Sequence, residues 1–181
     1  MNLKNYRTVI AGESIYLKIL EEKNASSEYC RWLNDQEVNE YLETREAAIP
    51  ELKKYIKEKL ESEDCLFFGI FYKENDKHIG NLKLELTGEG KKSVDYGIMI
   101  GDKNYWGKGI GTEATRLILN FSFNKLNADT VELSVLADNK AAIRIYEKTG
   151  FKIIERKIKS VNHDGRLFDD IVMAISRDKK K

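Results

Sequence analysis

The sequence predicts a single domain built on a mixed sheet, of the α+β or α/β class. Two observations support this class. Apolar runs at residues 65–72 and 79–87 follow one another across a short turn, which is typical of antiparallel neighbours. Between residues 94 and 136 a strand, a helix and a second strand follow in that order, which predicts a crossover between parallel strands.

The first third of the chain predicts one strand followed by three helices. Residues 14–20 alternate apolar and polar positions, as a half-buried strand does. Residues 24–27 offer caps for a first helix, and Asp35 precedes a short second helix. Pro50, the only proline, suits the first turn of a third helix. The apolar residues that mark these helices are Tyr29, Trp32 and Leu33, then Val38, Tyr41 and Leu42, then Leu52, Tyr55, Ile56 and Leu60.

The remainder predicts strands on either side of the crossover. A turn at residues 88–91 leads into an apolar strand that ends at Ile100, and residues 130–136 form the strand after the crossover. A further helix begins at Asp138 or Asn139. The last two strands, 151–159 and 167–175, are joined by a segment whose Asp-Gly pair favours a tight hairpin.

Composition narrows the class of protein without identifying it. The chain has 181 residues, a length that suits one domain, and we expect residues 1–181 to form it, with a core at about 10–176 and a short basic tail at 177–181. The 31 basic and 30 acidic side chains nearly balance, so we expect neither nucleic acid nor a membrane surface as partner. The polar start and the lack of a long apolar run predict a cytoplasmic protein. Cys30 and Cys65 stand alone, and no metal site is expected.

The segment from Val94 to Thr115 predicts an anion-binding site. It reads as a strand, a glycine-rich turn and a helix, and the first turn of a helix carries unpaired N–H groups and a partial positive charge. A P-loop does not fit, because five residues instead of four separate Gly101 from Gly107. A dinucleotide fingerprint fits poorly, because the glycines follow G-x-G-x-G in mid-chain.

A third phosphate-binding interpretation rests on a resemblance. Residues 106–112 read W-G-K-G-I-G-T and resemble motif A of the GCN5-related N-acetyltransferases (GNAT), usually written (Q/R)-x-x-G-x-(G/A). Residues 139–151 resemble the family's motif B, N-x-x-(A/S)-x-x-x-Y-x-x-x-G-F, at every defined position. Trp106 replaces the usual Gln or Arg, as in the branch that resembles ribosomal-protein alanine acetyltransferases. Two motifs in this order identify the chain as a member of the superfamily.

The resemblance implies a mostly antiparallel sheet of about seven strands, flanked by helices in three layers and splayed where acetyl-CoA binds. The backbone of Ile98, Met99 and Ile100 would pair with the pantetheine amides as another strand would. The loop and helix start would hold the pyrophosphate, and Lys108 would add a charge there or remain solvated. The implied loop residues are Trp106, Gly107, Lys108, Gly109, Ile110, Gly111 and Thr112.

The resemblance also implies catalytic residues. Tyr146 matches the position whose phenol faces the thioester sulphur and acts as general acid, although its helix face also suits a core residue. Asn139 would bond pantetheine or a water, and it would also cap the helix. Asp95 is our candidate base, because related enzymes often carry an acid on this strand. Glu85 and Glu132 are alternatives on neighbouring strands.

The acceptor amine is the least determined feature. Arg31 and Arg45, with the aromatic residues Trp32 and Tyr41, suggest an amino-sugar nucleotide, because arginine suits phosphate and aromatic rings suit a base or sugar. Trp32, Tyr41 and Leu42 would also suit the core, and we expect at least two of them to lie there. A peptide N-terminus and a polyamine are alternatives, and a non-catalytic acetyl-CoA sensor is an alternative of another class. We expect a monomer or homodimer. The acids that would suit a polyamine are Asp35, Glu37, Glu40 and Glu43.

Overall fold

A mixed sheet of eight strands forms the centre of the computed structural model, which describes residues 2–4, 6–42, 46–163 and 165–177, without the side chain of His163. The spatial order of the strands is β1-β2-β3-β4-β5-β6-β8-β7. The strands are β1 (Val9–Ala11), β2 (Ile15–Ile19), β3 (Cys65–Tyr72), β4 (Lys77–Thr87), β5 (Ser93–Ile100), β6 (Thr130–Leu136), β7 (Lys152–His163) and β8 (Arg166–Ser176).

Five α-helices and three single-turn 3₁₀ helices accompany these strands in the described residues. The α-helices are α1 (Ser27–Asn34), α2 (Gln36–Asn39), α3 (Ile49–Glu61), α4 (Ile110–Asn124) and α5 (Lys140–Lys148). The 3₁₀ turns are Glu22–Asn24, Glu89–Lys91 and Lys103–Tyr105.

The predicted α+β class with a mixed, mostly antiparallel sheet is confirmed. Every pair of neighbouring strands is antiparallel except β5 and β6, which are parallel and joined by the α4 crossover. The sheet has one strand more than the expected seven, because β1 pairs with β2 over three residues. A strand of three residues is too short to show a periodic pattern in the sequence.

The two faces of the sheet bury two separate apolar clusters. Alternation along β3 illustrates this, since Leu66, Phe68 and Ile70 join the cluster beneath α4 and α5, whereas Phe67 and Phe71 join the cluster beneath α1, α2 and α3. Side chains that alternate along a strand point to opposite faces. The sheet therefore separates a layer formed by α4 and α5 from a layer formed by the first three helices.

Polar side chains fix where three of the helices begin. Ser26 accepts a hydrogen bond from the Tyr29 amide, Asp35 accepts one from Glu37, and Pro50 lies in the first turn of α3. The predicted second helix is shorter than expected. It ends at Asn39, so Tyr41 and Leu42 lie beyond it.

Candidate active site

The parallel ladder between β5 and β6 ends after three residue pairs, and the strands then separate. Residues 93–95 pair with residues 130–132, and no further pair joins these two fully described strands. On its other side β5 stays paired with β4 as far as Ile100. The edge of residues 96–100 that faces the gap therefore has no strand partner among the described residues. An extended chain that carries amides can add to such an edge as a strand does.

The glycine-rich loop leaves open space above its backbone at the end of this gap. Gly107 and Gly109 have φ values of 72° and 80°, in the left-handed region that side chains disfavour. A Cβ built at either glycine would meet no heavy atom within 4 Å. Gly109 is the N-cap of α4 and no side chain caps the helix. The first amides of α4 are thus available to an anion.

The first-turn acid of α4 is turned away from this opening. One carboxylate oxygen of Glu113 accepts hydrogen bonds from the amides of Ser14 at 3.0 Å and Ile15 at 3.3 Å. Gly111 has a different surrounding from the two loop glycines, because a Cβ there would lie 3.0 Å from Cδ1 of Ile145. Gly111 therefore lets α4 approach α5.

Trp106 links the loop to the end of β5. Its indole nitrogen donates a hydrogen bond of 2.8 Å to the carbonyl oxygen of Ile100, while 41% of the residue stays exposed. The ammonium group of Lys108 lies 5.3 Å from the centre of the Tyr105 ring. The replacement of the usual Gln or Arg by Trp106 thus fixes the loop against the strand that borders the gap.

Tyr146 lies on α5 where β5 and β6 separate. Its ring packs against Tyr96, the first residue after the ladder, with ring centres 6.2 Å apart, and against Phe151 at 5.7 Å. The Tyr96 hydroxyl is occupied by Thr115 at 2.9 Å. The Tyr146 hydroxyl has no hydrogen-bond partner among the described residues. Burial raises the pKa of Tyr146 to about 12, so the phenol keeps its proton at neutral pH.

Asn139 caps α5 beside the same gap. Its side-chain oxygen accepts a hydrogen bond of 3.1 Å from the Ala142 amide. The expected capping role is therefore present in the structure. Its side-chain amide nitrogen has no hydrogen-bond partner among the described residues and remains available to a ligand.

Three carboxylates stand in register across the sheet at the base of the gap. Glu85 of β4 pairs with Asp95 of β5, and Asp95 pairs with Glu132 of β6. Cross-strand partners carry their side chains on the same face. This face is the one covered further along by α1, α2 and α3, because Met99, four residues after Asp95, packs on their cluster.

The environment distinguishes Asp95 from Glu85 among the candidate bases. Partial burial raises the pKa of Asp95, Lys83 opposes that rise, and Glu85 and Glu132 add to it. Burial also acts to raise the pKa of Glu85, but hydrogen bonds from Lys59 and Lys83 lower it overall. Their ammonium groups lie 2.7 Å and 3.0 Å from its carboxylate. Asp95 is therefore the more basic of these two groups, which favours it over Glu85.

The structure places Trp32 in the core instead of on an accessible wall. Only 6% of it is exposed, and it packs on Tyr29 and His78. A Cβ added to Gly101 would lie 2.2 Å from its ring. The enclosed indole supports a packing role for Trp32 in this structure, and its contact with the acceptor stays a prediction.

Arg31 and Tyr41 are the remaining expected acceptor residues that the structure describes. Arg31 is exposed on α1 and makes no ion pair with another described residue. Arg45 and Glu43 lie outside the described residues. Tyr41 is half-buried, burial raises the pKa of its phenol, and the charges of Asp138 and Arg166 also act on it. Tyr41 is thus the one aromatic of this set that the structure brings near the motif B segment.

Two residues near Tyr41 were missed by the sequence interpretation. Arg166, at the start of β8, lies 3.4 Å from the Asp138 carboxylate, which directly precedes Asn139. Its guanidinium group also lies 4.6 Å from the centre of the Phe168 ring. Asp138 is visible in the sequence as a neighbour of motif B, but its partner lies 28 residues further along. No local pattern shows such a pairing.

Two of the acids considered for a polyamine pocket already have a partner. Lys103, in the 3₁₀ turn that follows β5, lies 2.7 Å from Asp35 and 2.6 Å from Glu37. These pairs tie the start of α2 to the segment that leads into the glycine loop. The single positive charge of Lys103 offsets one of the two negative charges of Asp35 and Glu37.

Comparison with known proteins gives the family. A family model described as acetyltransferase (GNAT) domain matches residues 15–152. The chain therefore belongs to the GNAT acetyltransferase family, and it is an acyltransferase of the N-acetyltransferase class. A relative from Bacillus subtilis, the probable N-acetyltransferase YjcK, is 29% identical over 175 residues, which cover 92% of this chain and 96% of the relative.

Solved structures share the fold at low identity. Spermidine N-acetyltransferase from Vibrio cholerae, in complex with CoA and spermine, has a TM-score of 0.83 and 22% identity over 92% of this chain and 97% of that one. RimL, a ribosomal L7/L12 α-N-protein acetyltransferase in complex with CoA, has a TM-score of 0.84 and 13% identity over 96% of this chain and 100% of that one. Both confirm the expected GNAT fold.

Two kinds of feature are absent from the described residues. No group of three or more His, Cys, Asp and Glu side chains arranged to hold a metal ion occurs in that part of the chain. Among the described helices, none is long and apolar enough to cross a membrane.

Proposed function

We propose that the chain transfers the acetyl group of acetyl-CoA to the primary amine of a cationic small molecule or of a peptide N-terminus. The observation that carries this proposal is the gap between β5 and β6, which ends at the open glycine loop. The free edge of residues 96–100 fits the pantetheine amides, and the uncapped start of α4 fits the pyrophosphate.

Tyr146 and Asp95 would divide the proton transfers. The neutral amine attacks the thioester carbonyl carbon, a C–N bond forms and the C–S bond breaks. The proton lost by nitrogen passes to Asp95 directly or through water. The departing sulphur takes a proton from the Tyr146 hydroxyl, and solvent then reprotonates the Tyr146 phenolate. With a pKa of about 12, Tyr146 is a weak acid towards a thiol of pKa about 8.5, so hydrogen bonding to the sulphur carries much of its effect.

The acceptor would approach from the face that carries Asp95 and Glu132. Neither carboxylate has an ion-pair partner among the described residues, so both would attract a positively charged amine before it loses its proton. Two such carboxylates favour a cationic acceptor over an anionic one. We do not retain the amino-sugar nucleotide, because the exposed Arg31 is not brought together with the site residues.

The test is a CoA-release screen with purified protein and acetyl-CoA. The acceptors are spermidine, spermine, free amino acids, peptides that begin with Ser or Ala, and one amino-sugar nucleotide. We expect turnover with polyamines or peptides. Turnover with the amino-sugar nucleotide alone would contradict the proposed acceptor class, and tight acetyl-CoA binding without any turnover would favour the sensor.

A matched pair of variants separates the acceptor site from the remainder of the protein. Glu132→Gln removes one of the two unpaired carboxylates, and we expect it to raise KM for a cationic acceptor. Glu58→Gln, on the exposed face of α3, removes a carboxylate that only forms a surface pair with Lys54. Equal KM values in both variants would exclude Glu132 from acceptor attraction.

A further inference from the structure

The charged groups beside Asp95 form one connected arrangement. Lys83 of β4 is paired in the ladder with Gly97 of β5, so it is the diagonal neighbour of Asp95 on the same face. The diagonal separation in an antiparallel pair is about 7–8 Å, within reach of a lysine side chain. Lys83 does not move freely, because its ammonium group lies 3.0 Å from the Glu85 carboxylate.

The charges that act on Asp95 come from the two neighbouring strands, β4 and β6. β4 contributes Lys83 and Glu85, and β6 contributes Glu132. Lys59 and Tyr55 on α3 and the Cys65 thiol on β3 interact with Glu85, one strand further away. Lys83 is therefore the one cation among the described residues that acts on Asp95 from a neighbouring position. Glu132 acts on Asp95 from the opposite side with the opposite sign.

We propose that Lys83 is a positioning residue for proton transfer, held by Glu85 beside Asp95, and that its charge sets the pH at which Asp95 becomes able to accept a proton. The proposal rests on the proposed function, in which Asp95 is the base. Glu85 then acts as an anchor that Lys59 also binds, so Glu85 keeps a partner when Lys83 is replaced.

Lys83 and Glu132 together would adjust the pKa of Asp95, because they act on it with opposite signs. The positive charge of Lys83 stabilises the carboxylate form of Asp95, whereas burial and Glu132 destabilise it. A base that is too acidic accepts a proton poorly, and one that is not ionised accepts none. Lys83 would therefore favour the ionised form of Asp95, while Glu132 and burial would leave it more basic than an ordinary exposed aspartate.

The experiment measures the titration of Asp95 directly and then its effect on catalysis. The ¹³C resonance of the Asp95 carboxyl group, identified by its loss in Asp95→Asn, is followed against pH in the full-length protein. Lys83→Met keeps the length of the side chain and removes its charge, and we expect the Asp95 pKa to rise by about one pH unit. Glu132→Gln should lower that pKa. Lys83→Arg should return it close to the wild-type value.

Lys77→Met is the matched control. Lys77 is also an ion-paired lysine of β4, bound by Asp102 and Glu28, but it lies six residues from Lys83, or about 20 Å along the strand. That distance exceeds the Debye length of about 8 Å at physiological salt. An Asp95 titration that moves equally in Lys77→Met and Lys83→Met, or in neither, overturns the proposal.

The pH profile of kcat/KM separates this proposal from the proposed function. We expect the pKa of its acidic limb to rise in Lys83→Met by the same amount as the pKa of the Asp95 carboxyl group. A purely structural role of Lys83 would instead lower kcat/KM equally at every pH. A shifted carboxyl titration with an unmoved limb overturns the catalytic role of both Lys83 and Asp95. Failure of acetyl transfer with every amine is a separate result, because the carboxyl titration needs no turnover.

Discussion

Asp95 of β5 and Glu132 of β6 form the last pair of the parallel ladder, so the gap between the two strands opens directly beyond them. Both side chains therefore lie at the base of the opening, on the face of the sheet opposite the layer formed by α4 and α5. It also leaves Asp95 partly buried with a raised pKa. A perturbed carboxylate at the edge of an opening is a typical feature of a catalytic group.

The raised pKa of Asp95 affects the stability of the fold as well as the activity. Because the folded-state pKa is raised above that of the unfolded chain, the stability that Asp95 contributes is present below the unfolded pKa of about 3.9 and is lost as the pH rises through the folded pKa. We therefore expect Asp95→Asn to raise the melting temperature at pH 7 while lowering kcat/KM. Thermal unfolding at pH 7 and at pH 3.5 checks this, and an equal change at both pH values would contradict it.

Replacement of Gly109 tests the anion site. We expect Gly109→Val to weaken acetyl-CoA binding at least tenfold, because its side chain would fill the open space above the loop and strain a residue with φ of 80°. Gly90→Val is the control, because Gly90 also has a positive φ of 62° but lies in the turn between β4 and β5. Calorimetry that gives equal acetyl-CoA affinities for the two folded variants would remove the loop from the binding site.

Replacement of Tyr146 tests the proton donor. Tyr146→Phe keeps the ring contacts with Tyr96 and Phe151, so we expect unchanged acetyl-CoA affinity and a kcat about a hundredfold lower. Tyr6→Phe is the control, since Tyr6 packs against Phe121 in the same apolar cluster but away from the gap. Steady-state kinetics that show near wild-type kcat for Tyr146→Phe would leave the tyrosine with a packing role alone.

Gly97 offers a test of where the acceptor enters. It lies between Asp95 and Met99 on the acceptor-facing side of β5, and a Cβ there would meet no heavy atom within 4 Å. The fold should therefore accept Gly97→Ala and even Gly97→Val. We expect KM for the amine to rise with the size of the side chain while the dissociation constant of acetyl-CoA changes little. A rise in the dissociation constant of acetyl-CoA without a rise in the KM for the amine would place the acceptor elsewhere.

Much of this fold is visible in the sequence because its signals are local. The strand at 65–72 and the strand at 130–136 have the predicted bounds, and Asn139 caps α5 as its position before the apolar helix face suggested. β1 was missed because three residues carry no periodicity. Features that depend on strand register, above all the row formed by Glu85, Asp95 and Glu132, need the pairing of distant segments and have no sequence pattern of their own.

The acceptor side was predicted less well, for a physical reason. Trp32 has the spacing of an amphipathic helix residue, and that spacing is the same for a side chain that binds a ligand and for one buried among its neighbours. Lys103 forms ion pairs with both Asp35 and Glu37, although 66 residues separate it from Glu37, and no local pattern indicates these pairs. The expected amino-sugar nucleotide depended on a pair of arginines, of which Arg31 is exposed and makes no ion pair with another described residue, whereas Arg45 lies outside the described residues.

The central claim is that the gap between β5 and β6 delivers an acetyl group to an amine with the help of Tyr146. Mass spectrometry of the acceptor after incubation with acetyl-CoA tests it most directly. We expect wild-type protein to add one acetyl group to a primary amine of a polyamine or peptide, with the rate sharply reduced in Tyr146→Phe and the product lost in Gly109→Val at limiting acetyl-CoA. Unmodified acceptors in every reaction, despite tight binding of acetyl-CoA by the wild type, would contradict the account.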